Sequence, residues 1–147
     1  METTKKYLIL FFFILTTGLL SAQMLDIHIQ NIRNQKGQIC IAVFANQDEF
    51  NAEKTLFDMK CNKNQVINGE LHIKLPFRPG KFGVSVLDDE DQTGRMEYGF
   101  LGIPKKGFGF SDFYLRGLIK PAFEDFCFTL GKDEVRELIV KMKYFMN

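Results

Sequence analysis

The alternation of apolar and polar residues over short segments is the feature that most constrains the fold of this chain. Apolar residues alternate with polar ones over 25–30 and again over 70–75. A period of two places the apolar side chains on one face of a strand and the polar ones on the other. The run 39–44 is apolar at every position, which is typical of a central strand covered on both faces. These segments predict β-strands.

Two further strands are predicted over 82–87 and 126–130, and turn-forming residues separate the segments at short intervals. Residues 48–57 lose the period of two and predict a helical turn with Asp48 as its cap. We therefore predict an all-β fold, a single antiparallel β-sandwich of about seven strands of the immunoglobulin-like or prealbumin-like kind.

The segment 133–145 fits two patterns. The spacing of Val135, Leu138 and Met142 suits a helix, whereas the spacing of Leu138, Val140 and Met142 suits a strand. Periodicity alone does not choose between them. The surrounding all-β pattern favours a final strand.

Residues 1–22 have the pattern of a secretory signal peptide. Lys5 and Lys6 precede an apolar run, and the small residues Ser21 and Ala22 follow it. The polar interruption at 16–18 leaves the run short of the ~20 apolar residues of a spanning helix, which weighs against an uncleaved anchor. We predict cleavage after Ala22, a β-sandwich domain over 23–147 and a secreted or periplasmic location without a stable membrane span.

The charge balance argues against two classes of partner. Removing residues 1–22 takes Lys5, Lys6 and Glu2 from 19 basic and 18 acidic residues, which leaves 17 of each. A near-neutral protein has no overall basic surface for nucleic acid or anionic lipid. The remaining length is sufficient for one domain.

Three cysteines, Cys40, Cys61 and Cys127, would enter an oxidising compartment. One disulfide with a third thiol left over and a set of buried free thiols are both compatible with their positions. Cys61 is the only one with a reactive setting, because Lys60 and Lys63 beside it could lower the pKa of its thiol.

An acidic turn follows the strand over 82–87 and has some of the spacing of a calcium loop. Oxygen donors stand at its first, third, fifth, seventh and ninth positions, with Gly94 at the sixth: Asp89, Asp91, Thr93, Arg95 through its backbone carbonyl, and Glu97. Position twelve is Phe100 rather than an acid, so the turn is not an EF-hand. The alternatives are a looser calcium site and a solvated turn whose aspartates bond their own backbone. Calcium is the only cofactor that the sequence suggests.

Glycines and phenylalanines alternate in the loop that comes next, over 99–113. Its aromatic residues could line a ligand cleft, and they are Phe100, Phe108, Phe110 and Phe113. Alternatively, the same rings fold under and close one end of the sandwich, which is the more common role of aromatic residues.

Histidine and serine chemistry receives little support. His28 and His72 both fall on polar strand faces, and no spacing in the chain supplies a third zinc ligand. The only serines after residue 22 are Ser85 and Ser111, and neither lies in a nucleophile elbow.

The chain resembles a family of small secreted bacterial proteins known as domain of unknown function 2141. The resemblance covers nearly all of the chain after residue 22 and rests on these residues: Asn34, Lys36-Gly37, Ala42-Val43-Phe44, Pro79-Gly80, Val84, Val86, Asp89-Glu90-Asp91, Gly94, Phe100 to Pro104, Gly107 to Ser111, Pro121, Phe123 and Glu124-Asp125.

The resemblance implies a single immunoglobulin-like or prealbumin-like sandwich and no established activity. In similar sequences the acidic turn usually reads Asp-Glu-Asn-Gly-Asn-Gly-Lys-Leu-Asp, and this chain differs from that pattern at several positions in the turn: Asp91, Gln92, Thr93 and Glu97. Lys106 and Asp112 also stand where relatives commonly carry Glu and Asn.

These observations favour a non-catalytic exported sandwich module that binds or supports an unidentified envelope protein or small ligand, with 88–113 as its functional edge. One alternative is an envelope hydrolase that uses acids of 88–97 together with Glu124 or Asp125. The other is a purely structural exported domain.

Overall fold

Two β-sheets pack face to face in the computed structural model, which describes residues 23–146. The predicted signal peptide, residues 1–22, lies outside the described residues. Eight strands and two short α-helices follow one another as β1 (Met24–Gln30), β2 (Gln38–Phe44), α1 (Gln47–Asn51), β3 (Phe57–Asn62), β4 (Leu71–Pro76), β5 (Gly80–Asp89), β6 (Gly107–Phe110), α2 (Phe123–Phe126), β7 (Cys127–Leu130) and β8 (Val135–Lys141). A single 3-10 turn, Phe100–Gly102, lies between β5 and β6. The prediction of an all-β sandwich is confirmed.

The smaller sheet has three strands in the order β4-β1-β8. Strand β1 runs antiparallel to β4 and parallel to β8. The larger sheet has the order β3-β2-β5-β6, and β7 also pairs with β5 beside β6. Every pair in this larger sheet is antiparallel. The sandwich is therefore antiparallel except where β8 joins β1.

The core between the sheets follows the predicted alternation. Leu25, Ile27 and Ile29 of β1 are fully buried, and they belong to the same apolar cluster as Ile39 and Ile41 of β2. Burial of an aliphatic side chain contributes about 1.5–3 kcal/mol. The period of two in the sequence thus identifies the face that stabilises the sandwich.

The ambiguous last segment is a strand, as predicted. Leu138 and Val140 of β8 are fully buried, and Leu138 stands opposite Ile27 of β1. A helix would not present a hydrogen-bonding edge to β1, so the exposed edge of that strand favours the extended conformation.

Three local features differ from the sequence prediction. Strands β3 and β6 were not predicted. Helix α1 forms where a helical turn was expected, but its N-cap is Asn46, whose side chain accepts a hydrogen bond from Glu49 N, rather than Asp48. Asp48 lies in the first turn instead, where its negative charge interacts favourably with the positive end of the helix dipole.

Among residues 23–146, no helix has the length and apolar character needed to cross a bilayer.

Candidate functional site

Two consecutive aspartates at the end of β5 each form an ion pair with a buried lysine. Asp88 pairs with Lys63, and both of these side chains are fully buried. Asp89 pairs with Lys106, with 2.7 Å between Asp89 Oδ1 and Lys106 Nζ. Because successive side chains of a strand point to opposite faces, the two pairs lie on opposite sides of the larger sheet.

The Asp88 pair has a structural role. Oδ2 of Asp88 accepts a hydrogen bond of 2.6 Å from the hydroxyl of Tyr144. Burial first, and then this contact with Asp88, raise the pKa of Tyr144 well above its usual range. Lys63 also donates to Asn34 Oδ1 at 3.4 Å. These contacts join four separate segments and present no free carboxylate to solvent.

The Asp89 pair lies inside the acidic turn in which the sequence suggested calcium. The ammonium of Lys106 donates to Asp89 Oδ1 at 2.7 Å, to Asp91 Oδ1 at 2.5 Å and to Thr93 Oγ1 at 2.5 Å. Glu97 Oε1 lies 3.9 Å from the same nitrogen. Four of the five predicted calcium ligands therefore surround a lysine ammonium. The fifth, Arg95, follows Gly94 in an exposed stretch.

Hydrogen bonds favour the ionised forms of these groups. Burial works to raise the pKa of Asp89, but donors from Gln38, Lys106 and Gly94 outweigh it and hold that pKa below its ordinary value. The bond from Lys106 lowers the pKa of Asp91. Burial works to lower the pKa of Lys106, and the two aspartates outweigh it and raise that pKa. The turn thus contains a cation that belongs to the chain itself.

Calcium binding at this turn stays a prediction from the sequence, and it would require the Lys106 ammonium to leave these oxygens. A divalent ion and an ammonium cannot share the same three oxygen atoms at contact distance without strong repulsion. The chemistry of the donor set suits either cation, because carboxylate and hydroxyl oxygens are ligands that calcium accepts.

The four phenylalanines proposed as a ligand cleft have different positions. Phe108 and Phe110 of β6 are buried in an aromatic cluster with Phe50 and Phe126, and Phe113 packs against its edge. This cluster lies between α1, α2 and the outer face of the larger sheet. These three rings therefore have the packing role that the sequence offered as the alternative. Phe100 does not belong to the cluster.

Phe100 and Leu101 form an exposed apolar tip between β5 and β6, with 86% and 82% of their surface accessible. The base of this tip is closed by backbone hydrogen bonds from Lys105 N to Glu97 O at 2.8 Å and from Gly99 N to Ile103 O at 2.7 Å. Leu101 has a φ of 59°. Left-handed backbone costs about 1 kcal/mol in a residue with a Cβ, so the fold keeps a strained leucine directed into solvent.

A second exposed apolar tip lies between β6 and α2. Leu118 and Ile119 are 60% and 85% accessible. Lys120 next to them places its ammonium 4.1 Å from the ring centre of Phe50 and donates to Phe50 O. The second tip is therefore attached to α1 and the aromatic cluster, while its two apolar side chains remain in solvent.

The two histidines lie side by side on the outer face of the smaller sheet. His28 of β1 stands opposite His72 of β4, and their rings stack with centroids 3.9 Å apart. Glu70 Oε2 lies 3.1 Å from His28 Nε2. The expectation that no third ligand lies near the histidines is wrong, because Glu70 and His72 are two residues apart and project from the same face. That spacing is a signal the sequence contained.

All three cysteines are free and half-buried. Cys40 and Cys61 lie on neighbouring strands but point to opposite faces, since Cys61 stands opposite Ile39. Burial raises the pKa of the Cys61 thiol, so the expected lowering by Lys60 and Lys63 is wrong. Burial and then Asp89 raise the pKa of Cys40 to about 11. Neither thiol has the low pKa of a nucleophile.

The acids considered for hydrolysis are occupied by other contacts. Glu124 binds Lys81 at 2.7 Å, and Asp125 accepts a hydrogen bond from Ala122 N at 2.8 Å at the start of α2. Ser111 is also buried and structural, because its hydroxyl accepts from Val84 N and donates to Phe126 O. These contacts favour structural roles for all three side chains.

A protein-family model described as an uncharacterized protein conserved in bacteria (DUF2141) matches residues 27–137. The match extends from β1 into β8 and so includes the acidic turn and both apolar tips. The chain belongs to this family. The resemblance drawn from the sequence is confirmed, and the description of DUF2141 names no activity. No curated protein and no solved structure matches this DUF2141 chain.

Proposed function

We propose that this protein is a non-catalytic exported module that contacts the anionic lipid surface of the cell envelope through the apolar tip formed by Phe100 and Leu101. The observation that carries the proposal is the exposure of Phe100 and Leu101 on a loop whose base is closed by hydrogen bonds. With 86% and 82% of their surface accessible, these two side chains contribute little packing to the isolated fold. Transfer of each into an apolar phase would gain about 1.5–3 kcal/mol.

The charges around the tips support a lipid surface as the partner. Residues 95–120 contain five basic and two acidic side chains, although the chain as a whole is near neutral. One of the five, Lys106, is buried and paired with Asp89 and Asp91 of the acidic turn, so it does not add to the surface charge. Arg95, Lys105 and Arg116 are exposed. A basic residue close to an anionic membrane contributes about 1 kcal/mol. The overall charge balance, which argued against an anionic partner, therefore conceals an uneven distribution.

The shape of the tips also suits a membrane. The apolar residues of each tip form a short pair rather than a broad continuous patch, and flanking basic groups remain free to contact phosphate groups. Such a tip can enter the headgroup region while the sandwich stays in water. A lysine or arginine beside it extends its charge toward the interface.

A non-catalytic role agrees with the contacts of the acidic residues. Asp88 and Asp89 are buried against lysines, and Glu124 is paired with Lys81. The hydrolase alternative required acids of the turn to act together with Glu124 or Asp125, and their contacts link them to other partners. The purely structural alternative does not account for the exposure of the apolar tips.

Vesicle flotation tests the proposal. We expect the protein to bind vesicles of phosphatidylglycerol and phosphatidylethanolamine, and to bind weakly to vesicles of phosphatidylcholine alone. Replacing both Phe100 and Leu101 with Ser should lower binding by at least about tenfold, because two apolar contacts are lost. Ile67→Ser is the matched control, since Ile67 is 72% exposed on a different loop. Equal binding by the double variant and the unmodified protein, or no binding to anionic vesicles, would overturn the proposal.

A further inference from the structure

The outer face of the smaller sheet brings together three side chains that ligate metals. The pair formed by β1 and β4 places His28 directly opposite His72. Glu70 immediately precedes β4 and contacts His28 Nε2 at 3.1 Å. One ligand atom from each residue can be chosen so that all three lie within 4.8 Å of one another. The three residues come from two segments about forty positions apart, so only the strand register unites them.

We propose that His28, Glu70 and His72 form a binding site for a late divalent transition-metal ion, with zinc as the best-suited ion. Two imidazole nitrogens and one carboxylate oxygen are a donor set that zinc accepts, and imidazole also suits copper and nickel. Three protein ligands leave the fourth tetrahedral position open to water or to a ligand from another molecule.

The distances allow an ion to enter without movement of the backbone. Zinc binds these donors at about 2.0–2.2 Å. The three donor atoms already lie within 4.8 Å of one another, so rotation of the side chains is enough to bring them to an ion. His72 and Glu70 are exposed and His28 is half-buried, and nothing of the core has to be repacked. Directly opposed strand residues have Cβ atoms about 4.5–5.5 Å apart, which is a suitable base for two converging imidazoles.

The surroundings of the site fit this use. The Gln30 side-chain amide lies 3.4 Å from His28 Nδ1. When Nε2 binds the ion, Nδ1 carries the ring proton, and a 180° turn of the Gln30 amide presents its oxygen as the acceptor. Such an outer partner commonly fixes the orientation of a ligating histidine. An open cleft of about 330 Å³ lies beside Glu70 and His72 and gives an ion free access. Lys74, on the same face, lies 3.8 Å from Asp26, which offsets its charge.

Without an ion, His28 and His72 contact each other only through the faces of their rings. Their contact is an aromatic stacking interaction, and the His28–Glu70 hydrogen bond is partly open to water. An exposed pair of this type contributes little to stability. The arrangement is therefore not explained by its contribution to the fold, and a metal would use all three donors at once.

Calorimetric titration with zinc alone tests the site. We expect one zinc ion to bind per chain. His72→Gln should weaken binding by more than about tenfold, since loss of even an outer-shell partner costs about 10- to 100-fold. Glu70→Gln should weaken it less, because the amide oxygen is a poorer ligand. Lys74→Gln is the matched control on the same strand and face, and it should leave binding unchanged.

A spectroscopic measurement separates this site from the three free thiols. Cobalt substituted for zinc at His28, Glu70 and His72 should give d–d absorption without the intense sulfur charge-transfer band of a thiolate site. The NMR signals of the His28 and His72 rings should shift on zinc addition. Absence of binding at millimolar zinc, a sulfur band, or a one-to-one titration unchanged in His72→Gln would overturn the proposal. The vesicle experiment is independent of this result, because the tips and the histidines share no residue.

Discussion

The ammonium of Lys106 lies 2.7 Å from Oδ1 of Asp89 and takes the place of a cation inside the acidic turn. Asp89 is fully buried, and Lys106 is nearly so. We predict that Lys106→Met strongly destabilises the protein at neutral pH, because it leaves a buried carboxylate without its partner. Loss of one partner of a buried pair costs about 3–5 kcal/mol, and we expect the lower end because Gln38 and Gly94 still donate to Asp89.

Urea unfolding at pH 7 measures this loss. Lys105→Met is the matched control, because Lys105 is the exposed neighbour of Lys106 and surface substitutions usually change stability by less than about 0.5 kcal/mol. Equal free energies of unfolding for the two variants would show that the buried pair does not stabilise the turn.

A different substitution of Lys106 tests the condition under which calcium can bind in the acidic turn. In the unmodified protein we expect millimolar calcium to leave the melting temperature unchanged, since the Lys106 charge repels a divalent ion. Lys106→Gln removes the charge and leaves the oxygens of Asp89, Asp91 and Thr93 free to coordinate. Calcium should then raise the melting temperature of this variant, because a ligand that binds only the folded state stabilises it.

The calcium experiment has a clear contrary outcome. An equal rise in the melting temperature of the unmodified protein and of Lys106→Gln would show that calcium binds elsewhere or displaces the lysine. Magnesium at the same concentration is the ion control, because magnesium requires a stricter octahedral geometry.

The pKa shifts in the turn predict how stability depends on pH. The pKa values of Asp89 and Asp91 are lowered in the folded protein. Their contribution is therefore fully present above the unfolded aspartate pKa of about 3.9 and is lost as pH falls through the folded values. The raised pKa of Lys106 has the opposite effect on pH dependence. The stability that Lys106 contributes is present at neutral pH and is lost only at strongly alkaline pH.

We therefore expect a plateau in the free energy of unfolding around neutral pH and a decline below about pH 4. Urea unfolding across this range measures both. In Lys106→Met the acid decline should be shallower, because the aspartates have lost the partner that lowers their pKa. An equally steep decline in the variant would attribute the acid sensitivity to other carboxylates.

Most of the fold follows from local patterns in the sequence, and the exceptions have identifiable causes. Strand β3 carries the period of two, with Phe57, Met59 and Cys61 half-buried and their neighbours exposed. The helical interpretation of the preceding residues obscured it. The predicted N-cap of α1, Asp48, lies two residues after the observed one, Asn46, because aspartate and asparagine are both good caps.

The candidate sites were less accessible to sequence reasoning. The oxygens of the acidic turn could be recognised by their spacing, but Lys106 is distant in sequence from Asp89 and reaches it only after the chain has returned through the tip. The His28–Glu70–His72 cluster depends on the register of β1 against β4. Register is set by the packing of the whole sheet, and a single segment does not contain it.

Strand β6 was missed because its alternation consists of glycine and phenylalanine, and glycine is uncommon in strands. The structure explains the glycines. A Cβ added at Gly107 would overlap the ring of Tyr144, and one at Gly109 would lie 2.7 Å from Val140 Cγ1. Both neighbours belong to the last segment of the chain, at or just beyond β8. Glycine at these positions allows β6 to approach that segment closely.

We therefore predict that Gly107→Ala destabilises the protein by about 1–3 kcal/mol, the usual cost of overpacking. The added methyl group must displace Tyr144, whose hydroxyl donates to the buried Asp88, so the cost should lie toward the upper end. Thermal unfolding measures the effect. Gly117→Ala is the matched control, because an added Cβ there has no atom within 4 Å, and Gly→Ala at a compatible site stabilises by about 0.4–1 kcal/mol. If both alanine variants melt at the same temperature, β6 does not need its glycines for close packing, and their spacing must be explained by something other than contact with Tyr144.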